Sequence, residues 1–421
     1  MNQPVPHNHV AIIGTGFGAL AATVRLQQSG IDDVVLIERA GDVGGVWRDN
    51  AYPGAAVDVK SHLYSLSFAP NPDWHNVFAK QPELHAYLGR VVDDFDLRRR
   101  LVLDTEVTAL HWQADQQRWR ITTVNGERTA AHVVVATGAL AEPVIPDLPG
   151  LENFAGEKFH SARWNHEFDL RRKKVAVIGT GASAIQFVPA IQPEVGKMTL
   201  FQRTAPWIMP RHDHAVSPRR RALFRKYPAL QRLERTRIYF QFEWMILAFR
   251  NPGLMRVPQR RALRHLKNQV PDPVLRAKLT PDYRIGCKRI LLSDNYLPAV
   301  SQPNVDVNTD GIREIRAHSV VDKQGVVRFV HLGYHDGEEA EIEKEIKSEL
   351  VKRNQEVKLL LLGPGESGRS FFRCCACACA NDPPADGARP AAEPLRPEWS
   401  GRGIFWSSMT ILRCCACCGW S

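Results

Sequence analysis

The chain has 421 residues, 44% of them hydrophobic and 24% charged, which is long enough to bury two moderate cores and too apolar to be disordered over most of its length. Its net charge of +10 invites a nucleic-acid reading. The excess, however, gathers between Arg211 and Lys267, where Arg219, Arg220, Arg221, Arg260 and Arg261 crowd one helical segment without interleaved stacking aromatics. That pattern argues for the solvated face of an insertion and against nucleic acid, with contact to an anionic surface as the lesser alternative.

No basic and apolar leader precedes the first strand, which starts by about Val10, and no run approaches the roughly twenty apolar residues needed to span a bilayer. The sequence therefore implies a soluble, cytoplasmic protein. In chain order, Val10-Ala11-Ile12-Ile13 reads as a buried strand that enters Gly14-Thr15-Gly16-Phe17-Gly18-Ala19 and then an apolar-patterned helix. This is the spacing of a dinucleotide fingerprint, in which glycines let the backbone approach a pyrophosphate at a helix N-terminus. The second strand, Val34-Val35-Leu36-Ile37, runs into Glu38, where a carboxylate can accept from ribose hydroxyls. An unphosphorylated ribose, as in FAD, suits that position.

A loop rich in glycine and aromatics follows, with Gly44-Gly45-Val46-Trp47 and Tyr52-Pro53-Gly54, then strands around Leu101 to Leu110, Trp119 to Val124 and Val133 to Val135. The proline-rich connector Pro143 to Pro149 marks a domain boundary. Near Lys173 a second strand-turn-helix begins, carrying Gly179-Thr180-Gly181-Ala182-Ser183-Ala184. Its second strand ends in Gln202-Arg203-Thr204, placing a guanidinium and a hydroxyl where a ribose 2′-phosphate would lie, so this site suits NADPH. Two facing dinucleotides are the apparatus for moving a hydride from a nicotinamide to a flavin.

A mostly helical insertion spans residues 210–280, within which Ile238 to Phe249 is long enough for a buried helix or an interfacial patch. The expected fold class is α/β, with two doubly wound Rossmann-like dinucleotide-binding domains. FAD would occupy residues 1–142, NADPH residues 143–209 and 281–328, and the insertion interrupts the second domain.

Gly44-Gly45-Val46-Trp47, Tyr52-Pro53-Gly54-Ala55-Ala56-Val57-Asp58, the linker Phe154-x-Gly156-x-x-x-His160-x-x-x-Trp164, Phe201-Gln202-Arg203-Thr204-Ala205-Pro206-Trp207 and Gly286-Cys287-Lys288-Arg289 occur in that order. Together they resemble the class B flavoprotein monooxygenases, and within them the Baeyer-Villiger branch, over about residues 8–328. The resemblance implies that NADPH reduces FAD, that the reduced flavin traps O2 as a C4a-peroxyflavin, and that a ketone becomes an ester or lactone. It implies Arg289 as the active-site cation, Asp58 as its ion-pair partner, and Arg203, Thr204 and Lys288 as holders of the NADPH phosphate. Gly45 and Trp47 join Gly14, Gly16, Phe17, Ala19 and Glu38 in the FAD site, and Gly179, Gly181 and Ala184 line the NADPH site. His160 and Trp164 belong to a linker that couples nicotinamide movement to the flavin. Asn165, where that branch usually has proline or aspartate, keeps N- or S-oxygenation as an alternative.

The family pattern stops at about residue 328, before the segment that in relatives completes the flavin domain. The resemblance then implies an incomplete flavin domain that binds FAD weakly and shows, at best, NADPH oxidation uncoupled from oxygen transfer. Residues Glu338 to Lys358 read as a charged helix, with Glu343 and Lys347 an i,i+4 pair. With Leu359 to Leu362 and Gly363 to Ser370, they resemble the N-terminus and phosphate loop of a heterotrimeric G-protein alpha subunit. Arg369 stands where such a loop needs lysine. Such a helix suggests a third reading, an inactive chimeric protein whose G-alpha-like tail binds a guanine nucleotide or a partner such as G-protein beta-gamma subunits. Residues 371–421 are low-complexity and hold eight of the nine cysteines. Without paired CxxC spacing they give no structural metal site, and the tail is expected to be disordered.

Overall fold

The computed structural model describes residues 5–251, 253–330 and the backbone of a strand at 357–361, side chains of residues 247, 248 and 330 excepted. The chain is mixed α/β and divides into two compact units. The described part of the first comprises residues 5–48 and 87–141. The second comprises 49–86 with 142–330 and the strand at 357–361.

The first unit is built on a six-stranded sheet of β1 (His7–Ile13), β2 (Val34–Ile37), β3 (Leu101–Val102), β4 (Val107–Gln113), β5 (Arg118–Thr123) and β6 (Gly126–Val135), in the order β3-β2-β1-β6-β5-β4. Strands β3, β2, β1 and β6 run parallel, and β4 to β6 form an antiparallel meander. All four residues of β2 are buried, as a continuous apolar run in a parallel sheet requires. Helix α1 (Phe17–Gln28) buries Ala19, Leu20, Thr23 and Val24. The short helix α2 (Val46–Asp49) follows β2, and α3 (Gln81–Asp94) precedes β3. The single strand expected over Leu101 to Leu110 is two. Asp104, in the left-handed region at φ 50°, donates its N–H to the Ala40 carbonyl and turns the chain from the parallel edge into the meander.

In the second unit the parallel sheet has the order β11-β8-β7-β15, formed by β7 (Lys174–Ile178), β8 (Lys197–Phe201), β11 (Val305–Asn308) and β15 (Val357–Leu361). Helix α4 (Ala184–Ile191) follows β7, and Ile185, Phe187, Val188 and Ile191 join Val175, Val177, Met198 and Leu200 in its core. Short strands β9 (Ile208–Met209) and β10 (Leu291–Leu292) pair in parallel. Between them lie α5 (Pro218–Lys226), α6 (Pro228–Arg250), α7 (Arg256–Gln269) and α8 (Pro273–Lys278). Helix α9 (Tyr296–Val300) precedes β11, and β12 (Ile312–Ile315), β13 (Ser319–Asp322) and β14 (Val327–Val330) form an antiparallel sheet.

Three sequence expectations are refined. The arginine cluster is spread over separate helices, Arg219 to Arg221 on α5 and Arg260 and Arg261 on α7. In α6, Ile238 is buried but Phe240 and Trp244 are exposed, so the apolar stretch is buried on one side only. Val357 and Lys358, expected to end a charged helix, instead begin β15, with Val357 beside Lys174 and Lys358 beside Val175; the rest of that helix, the phosphate loop and the cysteine-rich tail lie outside the described residues. Among the described residues no helix is long and apolar enough to cross a membrane.

The insertion is tied to the loop after Asp58 through His62. Its ring stands edge-on to Phe224 at 4.9 Å, and the Gln231 amide lies 3.4 Å from Nδ1. Burial, only partly opposed by the Glu234 carboxylate, pushes its pKa from 6.5 down to about 4. The unfolded chain therefore takes up a proton that the folded chain refuses. Stability from this group is intact above pH 6.5 and lost as pH falls from there toward 4, by at most about 3 kcal/mol. Urea unfolding at pH 7 and pH 4.5 should show this loss in the parent protein and a flatter dependence in His62→Asn. Equal pH slopes would remove His62 as the cause.

Candidate active site

The first candidate pocket lies where β1 meets α1. Gly14 has φ +104°, and a Cβ there would lie 2.6 Å from the Ala136 carbonyl oxygen. Gly16, the N-cap of α1, has no side-chain cap, and Gly45 passes so close that a Cβ on it would lie 3.2 Å from the Gly16 Cα. The first-turn N–H groups of α1 thus have no side-chain cap beneath a backbone-lined turn, the arrangement that receives a diphosphate. Ala19 is buried under the helix, Phe17 tilts against Tyr87 at 6.0 Å, and the Trp47 N–H donates to the Gly44 carbonyl at 3.2 Å.

Glu38 stands at the end of β2 as expected, yet its carboxylate is already engaged. Oε2 accepts from the Thr15 N–H at 3.1 Å and hydroxyl at 2.7 Å, and Oε1 accepts from the Ala40 N–H at 3.1 Å. Arg48 pairs with it at 3.2 Å. The side chain is only 6% exposed, so these bonds satisfy a charge that would otherwise be costly to bury.

The second candidate pocket follows β7 in the other unit. Gly179 has φ +100°, and its N–H donates to the Phe201 carbonyl at 3.0 Å. Gly181 starts the turn of α4 by accepting from the Ile185 N–H at 3.1 Å, and Ala184 is buried. Arg203 is exposed just past the end of β8, and the neighbouring Thr204 carbonyl accepts from the Thr180 hydroxyl at 3.3 Å. Lys288 is exposed, with its ammonium 4.7 Å from the Tyr283 ring centroid.

In the same unit the structure brings together two groups that the sequence holds 231 positions apart, as Arg289 Nη2 donates to Asp58 Oδ2. The pair is open to solvent, with the Arg289 side chain 52% and the Asp58 side chain 34% exposed. An exposed pair contributes little stability, and the Asp58 carboxylate fixes one direction of the Arg289 guanidinium. The loop bearing Asp58 is held from several sides. Gly54 has φ +80°, and a Cβ there would lie 2.6 Å from the Gln186 carbonyl oxygen. Arg211 donates to the Val57 carbonyl at 2.7 Å and lies over the Phe78 ring at 4.8 Å, and burial lowers its pKa from the usual guanidinium value. Burial raises the Tyr52 phenol above its ordinary value, a Ser183 hydrogen bond opposes that, and the Asp58 charge adds to it; Tyr52 therefore keeps its proton at neutral pH.

The linker residues have local anchors. Phe154 is buried beside Ile315, Val320 and Phe329, and a Cβ on Gly156 would strike its ring at 2.4 Å. His160 Nδ1 accepts from the Ala162 N–H at 3.1 Å. Trp164 packs against Phe159 at 5.3 Å and Phe187 at 5.5 Å. Asn165 donates to Glu157 at 2.8 Å. Gln186 and Arg211 escaped the sequence reading. The only signal for Gln186 is a polar residue in the otherwise apolar α4, and Arg211 offers none beyond its charge.

A family model described as flavin-binding monooxygenase-like matches residues 7–240. The chain is 53% identical over 320 residues to a Baeyer-Villiger monooxygenase of Streptomyces coelicolor, covering 76% of this chain and 62% of that protein. It is 48% identical over 334 residues to a Baeyer-Villiger monooxygenase of Pseudomonas aeruginosa, covering 78% and 63%. The chain thus spans about six tenths of the length of these relatives. Among solved structures it is similar to open cyclohexanone monooxygenase, with a TM-score of 0.71 at 28% identity over 86% of this chain and 74% of that one. It is likewise similar to oxidised steroid monooxygenase bound to NADP, with a TM-score of 0.69 at 29% identity over 85% and 71%.

Proposed function

The chain belongs to the flavin-binding monooxygenase-like family, and on that premise we propose that its chemistry is Baeyer-Villiger oxygenation, inserting one oxygen of O2 into a small carbonyl compound at the expense of NADPH. The weak FAD binding and uncoupled NADPH oxidation expected from the sequence are the opposing outcome, read as NADPH consumed without ketone product. The observation that carries this reading is the Arg289–Asp58 pair, a fixed cation held by a carboxylate on the loop that α4 supports. The high identity to two Baeyer-Villiger monooxygenases supports the same branch.

FAD fits the first unit and NADPH the second, and we assign the domains accordingly, with residues 1–142 as the flavin domain, 143–209 and 281–328 as the NADPH domain and 210–280 as the insertion. Gly14, Gly16 and Gly45 leave room for a diphosphate at α1, and Glu38 offers its remaining acceptor directions to ribose hydroxyls. Gly179 and Gly181 repeat the turn at α4, where Arg203, Thr204 and Lys288 would take the 2′-phosphate. Flavin held there would supply activated oxygen, drawing its electrons from NADPH. Arg289 then holds positive charge and planar donors where negative charge develops, because a guanidinium cannot lose its proton there. Asp58 orients that guanidinium, and Tyr52 supports the loop as a donor. The segment 338–370 is read as a G-alpha-like fragment without nucleotide hydrolysis, since Arg369 replaces the compact ammonium a phosphate loop requires.

Anaerobic absorbance spectra test the two-cofactor claim. Adding NADPH to the flavin-loaded protein should bleach the flavin band, and an unchanged band would sink the proposal. In the same assay Arg203→Ala should raise the NADPH concentration for half-maximal reduction by about 10- to 100-fold, as loss of a charge-assisted phosphate contact implies. The NADH requirement should hardly move, and equal effects on both would refute the phosphate assignment.

A further inference from the structure

Gln186 lies on α4, two residues past the second glycine fingerprint, and its side chain grips the loop that carries Asp58. Its Nε2 donates to the Ala56 carbonyl at 2.9 Å, while its Oε1 accepts from the Ala56 N–H at 3.2 Å and from the Tyr52 hydroxyl at 3.0 Å. One amide thus satisfies both backbone groups of Ala56, two residues before Asp58. The Gln186 backbone carbonyl also packs on Gly54, where a Cβ would lie 2.6 Å from its oxygen. On its far side the loop is fixed to other backbone, Val57 donating to the Ala79 carbonyl at 3.0 Å. A displacement of the α4 N-terminus by a bound diphosphate has therefore a direct, hydrogen-bonded route to Asp58 and so to Arg289.

We infer that Gln186 is the positioning residue through which occupancy of the second nucleotide pocket sets the Asp58–Arg289 pair. The inference rests on the reading of that pocket as the NADPH site and adds to it a coupling between nucleotide binding and the oxygen-transfer cation. Gln186→Leu keeps the side-chain size and abolishes all three side-chain bonds, so it separates the coupling from the packing of α4.

The test is amide hydrogen exchange on the full chain with and without NADP+, read by mass spectrometry. In the parent protein NADP+ should slow exchange both across Gly179 to Ser183 and across Ala55 to Asp58. In Gln186→Leu, protection across Gly179 to Ser183 should persist, whereas the response of Ala55 to Asp58 should vanish and their exchange without nucleotide should quicken about tenfold, the loss expected from one hydrogen bond of ordinary net strength. A nucleotide response at Ala55 to Asp58 that survives in Gln186→Leu overturns the inference while leaving the NADPH site intact. Absence of protection at Gly179 to Ser183 in the parent protein overturns both. In turnover, ketone product per NADPH consumed should fall in Gln186→Leu with KM for NADPH unchanged, and should fall no further when Asp58→Asn is added. Full additivity of the two substitutions would equally refute the coupling.

Discussion

Arg289→Ala is expected to lower the rate of oxygen transfer to a ketone by about 10²- to 10³-fold, the cost of removing one preorganised charge-stabilising donor, while NADPH-driven flavin reduction stays within about two-fold. The split follows from where charge appears. On the proposed chemistry, hydride delivery needs no cation from this pair, whereas transfer of oxygen builds negative charge that Arg289 alone of the Asp58–Arg289 pair can balance. Asp58→Ala leaves that cation in place but frees an arginine side chain already half exposed, so its expected loss is smaller, on the order of tenfold, as for a misplaced group. Stopped-flow reduction and product analysis on the same samples check both. If Arg289→Ala abolished reduction instead, its role would lie with the nicotinamide.

The second large effect is on the fold of the first unit. Gly14→Ala would place a Cβ 2.6 Å from the Ala136 carbonyl oxygen and 3.1 Å from its carbon, with φ at +104°. Both obstacles are backbone, so no flexible side chain can yield. Ala136 is fixed in turn by its N–H bond to the Ile13 carbonyl at 2.9 Å. The combined conformational and steric cost should be about 2–4 kcal/mol, with FAD affinity down more than tenfold. Gly18→Ala is the matched control, for nothing lies within 4 Å of its Cβ position and it sits within α1. There helix propensity wins, and the change should be neutral or stabilising by up to about 1 kcal/mol. Thermal unfolding and flavin titration of the pair decide the matter, and similar losses in both would remove the steric account.

Much of this was legible from residue order because it is local. Each glycine turn follows a buried strand and precedes a helix within a few positions, and Glu38 and Arg203 sit at strand ends the apolar runs define. The Arg289–Asp58 contact spans 231 positions and was reachable only through resemblance. Gln186 and Arg211 act on Ala56 and Val57 across 130 and 154 positions, and neither spacing nor composition announces a side chain that holds another segment's backbone. The break at Asp104 was missed because a residue with positive φ leaves the apolar pattern around it unchanged. The one-sided burial of α6 was ambiguous for the opposite reason, since apolar residues occur on both sides of that helix.

The fixed carboxylate of Glu38 has a further consequence. Thr15, Ala40 and Arg48 hold it with the protein's own groups, so on the proposed assignment its direction toward a ribose is set by the fold. A nucleotide phosphorylated at that ribose would meet a fixed anion whose hydrogen-bonding neighbours are already committed, and so would suffer repulsion with little relief from solvent. If Glu38 faces the ribose as proposed, rejection of the wrong dinucleotide follows from the fold itself, and each nucleotide keeps to its own address even when both are abundant.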